Sequence, residues 1–172
     1  NVIGEQNAWA QRPAVFILNH RTTFDGLIAM RIVRKDFTAV SKAENKGGGP
    51  VFEAVERLLD VAYIDRSDAA SAVAAVKSLE GLARNGLSVL IAPEGTRVAT
   101  VGTGPFKKGA FRLAMAAGLP IVPIVIRNAE AIGGRNAYAM NPGNVDVAVL
   151  KPIPVDNWKL EDLPRRIEEV RQ

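Results

Sequence analysis

Short apolar runs alternate along this chain with stretches of helical spacing, and polar residues sit where one gives way to the next. Ala14 to Leu18 is an unbroken apolar run ending at Asn19-His20, the pattern of a strand buried on both faces. Asp25 opens a helix through Arg34 and is placed to cap it. Phe37 to Val40 reads as a second strand. Gly47-Gly48-Gly49-Pro50 then breaks the chain, and the pattern after it predicts a short helix from Val51 to Leu59.

Val61 to Ile64 is a further strand, closed by Asp65-Arg66. Asp68 begins an Ala-rich helix in which Val73, Val76, Leu79 and Leu82 recur at helical spacing, and Asn85-Gly86 stops it. Leu87 to Ala92 is a strand running into Pro93-Glu94-Gly95-Thr96-Arg97, followed by a Gly/Thr-rich loop over Val98 to Pro105. Lys107 to Ala117 reads as a helix ended by Gly118. Ile121 to Ile126 and Val145 to Leu150 are strands, and Pro164 marks the first turn of a closing helix. Strands alternating with helices predict a single α/β layered domain over residues 1–172, with a mostly parallel or mixed sheet flanked by helices.

Composition narrows the chemistry. The 172 residues include no cysteine, which removes disulfides, thiolate metal sites and cysteine nucleophiles together. A net charge of +4 suits an anionic ligand or a membrane surface. No Lys/Arg run with interleaved aromatics appears, so nucleic acid is not an expected partner. No stretch reaches the roughly 18 apolar residues that span a bilayer. The chain begins at Asn1, not Met, and reads as a domain cut from a longer protein.

Two polar clusters follow predicted strands, where α/β proteins build their sites. His20, the one histidine, has Asp25 five residues on across a strand-to-helix turn. A carboxylate there can hold one ring nitrogen and leave the other as a base, although a lone histidine serves structural roles as well. In the second cluster, Gly95 permits close approach or positive φ, Thr96 offers a hydroxyl and Arg97 a fork suited to phosphate. Glu94 either orients that arginine or binds a substrate hydroxyl. Phe106-Lys107-Lys108-Gly109 opens the next helix, where an anion would offset the unfavourable lysines; two solvated lysines are the plainer reading. Asp65-Arg66 is either a further cation for the site or a structural ion pair.

Taken in order, these blocks resemble the PlsC-like glycerolipid acyltransferase family, in its 1-acylglycerol-3-phosphate acyltransferase branch. Asn19-His20-Arg21-Thr22-Thr23-Phe24-Asp25 is similar to its H-x4-D motif, Ile64-Asp65-Arg66 to its second block, and Pro93 to Arg97 with Phe106 to Gly109 to its third. Ile121-Val122-Pro123-Ile124-Val125 resembles the fourth.

The resemblance implies a general base at His20, oriented by Asp25, and direct attack of a glycerol hydroxyl on an acyl thioester. It implies an acceptor site at Glu94, Gly95, Thr96 and Arg97, with Arg97 on a phosphate and Arg66 and Lys107 assisting. The partners it implies are lysophosphatidic acid or another lysophospholipid, acyl-CoA or acyl-carrier protein as co-substrate, and the cytoplasmic face of a membrane. It implies no cofactor and no metal. Glycerol 3-phosphate as acceptor, or a silent lipid- or anion-binding module, are the alternatives. A serine hydrolase lacks its G-x-S-x-G and a P-loop enzyme its G-x-x-x-x-G-K-[ST].

The chain departs from the family pattern at Thr22, where serine is frequent, at Ala92, where phenylalanine is usual, and at Asn45 to Gly49, where an apolar stretch is common. The segment around Gly26 to Phe37 mixes apolar residues with Arg31, Arg34 and Lys35 and could touch a membrane surface; a buried helix with a basic edge is the plainer reading.

Overall fold

A computed structural model describes residues 1–43, 61–64, 69–98, 102–135, 137 and 139–172. The helix expected after Pro50, the triglycine loop, Asp65-Arg66 and the Asp68 cap lie outside these residues.

The described elements are β1 (Val2–Ile3), α1 (Asn7–Ala10), β2 (Val15–Leu18), α2 (Asp25–Val33), β3 (Phe37–Lys42) and β4 (Ala62–Ile64). There follow α3 (Ala69–Arg84), β5 (Ser88–Ile91), α4 (Gly109–Ala117), β6 (Ile121–Arg127), α5 (Ala129–Ile132), β7 (Asp146–Val149) and α6 (Leu163–Arg171). All seven strands join one sheet in the order β1-β7-β6-β2-β5-β3-β4. Each neighbouring pair is parallel except β6 with β7. The expected mixed, mostly parallel sheet flanked by helices is the observed fold.

β2 lies at the centre, and its four residues are all buried. The pleat explains why the run is apolar throughout. Phe16 and Leu18 face α1, α2 and α5 through Ala8, Ala29, Ile32, Val33 and Ala129. Val15 and Ile17 face α3, α4 and α6 through Leu79, Ala83, Phe111, Leu113, Leu163 and Ile167. Two apolar layers therefore clamp one strand, and β2 is fixed in height between β5 and β6.

Local signals worked where they were strong. Gly118 ends α4 at φ 65, the left-handed position that glycine takes without strain, and its N–H bonds the Ala114 and Met115 carbonyls. Elsewhere the structure revises the expected boundaries. Asp25 is the first residue of α2, not its cap; Phe24 occupies the cap position and makes no side-chain bond there. Helix α4 starts at Gly109, with Lys108 in the cap position and the Lys107 N–H bonded to the Pro93 carbonyl at 2.8 Å. Val73 does not belong to the buried stripe of α3; it is 69% exposed, and the stripe is carried by Val76, Leu79 and Ala83. β1, α1 and α5 were not expected, being two to four residues long and too short to show a period.

Since β2, β3, β5 and β6 run in parallel, their carboxyl ends share one edge of the sheet. His20 follows β2 and Glu94 follows β5, so the two polar clusters meet there. Replacing Phe16, fully buried at 0% exposure, by alanine is expected to cost about 3–5 kcal/mol in a urea unfolding titration. Leu160→Ala, at a position 68% exposed, should stay within about 0.5 kcal/mol of the parent.

Candidate active site

The site is built from the backbone left over where β2 ends. Asn19 no longer pairs as a strand residue, and its side-chain amide takes over the ladder. Its Nδ2 donates to the Ile126 carbonyl at 2.8 Å and its Oδ1 accepts from the Ile126 N–H at 2.7 Å. The next residue is His20. Its N–H donates to Glu94 Oε1 at 2.8 Å, and its carbonyl accepts from the Val98 N–H at 2.8 Å. Both sides of the histidine backbone are thus bonded to the segment after β5.

The ring is held separately. His20 Nδ1 lies 3.1 Å from Asp25 Oδ2, and the imidazole side chain is 28% exposed while Asp25 is 1% exposed. The same Oδ2 accepts the Arg21 N–H at 2.5 Å and the Thr22 N–H at 2.8 Å. Oδ1 accepts the Thr22 hydroxyl at 2.7 Å, and that hydroxyl oxygen in turn accepts the Phe24 N–H at 3.2 Å. This is why Asp25 does not cap α2: its carboxylate turns back and gathers the loop. Burial alone would push the carboxyl up, but hydrogen bonds from His20, Thr22 and Arg21 outweigh it and hold Asp25 below the usual aspartate range. An ionised Asp25 requires a proton on Nδ1 to complete its bond with the ring; the neutral tautomer that makes this bond carries its lone pair on Nε2.

The second cluster contributes differently at each residue. Glu94 is 5% exposed, and its second oxygen accepts the Gly104 N–H at 2.6 Å, so both oxygens serve the protein's own backbone. It does not orient Arg97. Gly95 has φ +73, and a Cβ there would stand 3.0 Å from Lys107 Cε and 3.1 Å from its Nζ; the glycine lets the Lys107 chain lie across the turn. Thr96 is exposed.

Arg97 Nη1 donates to the Thr23 hydroxyl at 2.9 Å and to the Arg135 carbonyl. Thr23 also donates to that carbonyl, at 3.2 Å. The fork is thereby steered by uncharged oxygens, and among the described residues no carboxylate neutralises it. Lys107 is likewise exposed and without a carboxylate partner among the described residues. Arg66 lies outside them. Arg21, beside His20, is paired with Glu130 of α5, whose carboxyl is lowered chiefly by that hydrogen bond.

Sequence reasoning brought His20, Asp25, Glu94, Gly95, Thr96, Arg97 and Lys107 to one edge, and the structure gathers them there. It missed Asn19, Thr23 and the 133–135 loop. That loop rests against the H-x4-D segment at Gly133, where a Cβ would meet Phe24 Cε2 at 2.2 Å. Asn19 carried a signal, a polar side chain directly beyond a doubly buried strand; the loop carried none.

The depressed Asp25 value has a consequence for stability. A carboxyl held lower in the folded state than in the unfolded one stabilises the fold above the unfolded value, about 3.9, and that contribution disappears as pH falls through the folded value. The stability gap between the parent and Asp25→Asn, read by chemical denaturation, should therefore narrow as pH falls below about 4.

Known proteins share this fold and much of this sequence. The family model described as Acyltransferase matches residues 1–127. The chain is 34% identical over 173 residues to the 1-acyl-sn-glycerol-3-phosphate acyltransferase of Saccharomyces cerevisiae, covering 99% of this chain and 56% of that protein. It is 33% identical over 158 residues to the human 1-acyl-sn-glycerol-3-phosphate acyltransferase beta, covering 91% and 56%. The chain thus spans little more than half the length of these curated relatives. The crystal structure of PlsC, the 1-acyl-sn-glycerophosphate (LPA) acyltransferase of Thermotoga maritima, shares the fold with a TM-score of 0.76 at 23% identity, over 99% of this chain and 68% of that one. With a family model spanning most of its length, the chain belongs to the acyltransferase family.

Proposed function

We propose that the chain carries the acyl-transfer site of a 1-acylglycerol-3-phosphate acyltransferase, with His20 as general base. The observation that carries the reading is a histidine pinned through Nδ1 to a buried, ionised aspartate, on the same sheet edge as an arginine fork that no carboxylate among the described residues neutralises. The names of the relatives, each a 1-acyl-sn-glycerol-3-phosphate acyltransferase, supply the substrate class.

In this reading the acceptor's phosphate lies on the free part of the Arg97 fork, with Lys107 and Arg66 adding positive charge. Its glycerol hydroxyl comes within reach of Nε2, which takes the proton as the oxygen attacks the thioester carbonyl carbon. Asp25 stabilises the imidazolium that forms. When the tetrahedral intermediate collapses, the C–S bond breaks and the sulfur leaves with the proton returned from His20. An ester and a free thiol result. The donor is the thioester of coenzyme A or of acyl-carrier protein, and no cofactor or metal enters any step. General-base assistance of this kind contributes about 10²–10⁴-fold.

Among the described residues no helix is long and apolar enough to cross a membrane. Contact with the cytoplasmic face of a membrane, where a lysophospholipid is presented, is part of the proposal.

The test is release of free thiol from a long-chain acyl-CoA or acyl-carrier protein, with and without lysophosphatidic acid. Acceptor-dependent release that falls at least about 100-fold in His20→Ala is expected. Release without acceptor would indicate a hydrolase, and an acceptor bound without release would indicate a binding module. Arg97→Ala should raise the KM for lysophosphatidic acid about 10- to 100-fold, the value of one or two charged hydrogen bonds, and leave the donor KM unchanged. Thr22→Val strips a donor from Asp25 and an acceptor from the Phe24 N–H; kcat should fall about tenfold while both KM values hold, measured in the same assay.

A further inference from the structure

Glu94 is a buried carboxylate with neither a cationic partner among the described residues nor, in the fold as it stands, an oxygen left idle. Such a charge is costly unless hydrogen bonds compensate it, and here two backbone donors do so, His20 N–H at 2.8 Å and Gly104 N–H at 2.6 Å. The chemistry explains why the residue is Glu and not Gln. Each of the two oxygens must accept, and an amide would turn an NH2 against one of the two N–H groups. Gly104 is matched to this arrangement. A Cβ there would stand 3.0 Å from Glu94 Oε2 and 2.9 Å from Val98 Cγ2, so the backbone approaches the carboxylate only because the side chain is missing. Val98 closes the loop from the other side, its N–H bonded to the His20 carbonyl at 2.8 Å.

We infer that Glu94 is a positioning residue for His20, acting through the histidine's backbone, and not a ligand of the acceptor. This rests on the reading of His20 as base and names how its height above the sheet is set. The imidazole needs two restraints, one on the ring and one on the main chain. Asp25 supplies the first. Glu94 supplies the second by tying the end of β2 to the end of β5 and to the 104 segment at once. Displacing a base by about 1 Å costs up to about 100-fold in rate, without altering how the acceptor phosphate is held.

The test compares Glu94→Gln with the parent by kinetics and by the nitrogen-15 spectrum of the ring. His20 is the one histidine, so a single imidazole is observed in the free protein. Glu94→Gln should lower kcat about 10- to 100-fold, keep the acceptor KM within about twofold, and shift the imidazole resonances without substrate present. Gly104→Ala provides a second, milder perturbation of the same clamp and should move kcat and the ring signals in the same direction. The inference is overturned if either folded variant raises the acceptor KM severalfold with kcat intact, or leaves the free imidazole spectrum unchanged. Loss of cooperative melting in both variants would also overturn it, since the clamp would then serve the fold and not the base. A parent that transfers no acyl group would sink the functional reading alone; the ring spectrum tests the clamp without substrate.

Discussion

A strand buried on both faces must still satisfy its backbone where it stops, and the site of this protein is the solution found at the end of β2. Beyond Leu18 the chain leaves the ladder while still enclosed by β5, β6 and the 133–135 loop. Water is not at hand to bond every donor and acceptor, so side chains do it. The Asn19 amide substitutes for one more strand residue against Ile126. Glu94 and Val98 take the two sides of the His20 peptide. Asp25 collects the N–H groups of Arg21 and Thr22. The bonds from Glu94, Val98 and Asp25 that satisfy the loop are also the ones that hold His20 in place.

This explains the division of charge across the site. Among the described residues the two buried carboxylates, Asp25 and Glu94, are turned inward onto donors of the protein, whereas Arg97 and Lys107 are left without carboxylate partners. Arg97 is aimed by a hydroxyl and a carbonyl, which hold a guanidinium without cancelling its charge. A site arranged in this way sets an imidazole beside positive charge that no described carboxylate neutralises, the arrangement that the proposed acyl transfer to a phosphate-bearing alcohol calls for.

Much of this was legible in the sequence because the strongest signals are local or pairwise. The apolar run before His20 located the central strand, and Gly118 located the end of a helix. The parallel sheet followed from the alternation of elements, and it forces residues after β2 and after β5 onto one edge although 74 positions separate His20 from Glu94. Individual duties were less legible. A carboxylate at the start of a helix reads equally well as a cap or as a partner for the preceding loop, and only the turn of Asp25 toward Thr22 decides between them. Glu94 read as a ligand or as the orienter of its neighbour Arg97, because proximity along the chain hides the distant N–H groups it accepts. Val73 was misplaced for a similar reason: spacing shows which residues share a helical stripe, not how far the neighbouring elements extend to cover it.

The central claim is that His20 holds its proton on Nδ1 against Asp25 and keeps a lone pair on Nε2. Long-range proton–nitrogen correlation of the single imidazole, recorded on the free protein at a pH where the ring is neutral, reports the tautomer directly. The account predicts a pyrrole-type Nδ1 and a pyridine-type Nε2, with that preference lost in Asp25→Ala. A ring protonated on Nε2, or one averaging between tautomers as a free side chain does, would contradict it.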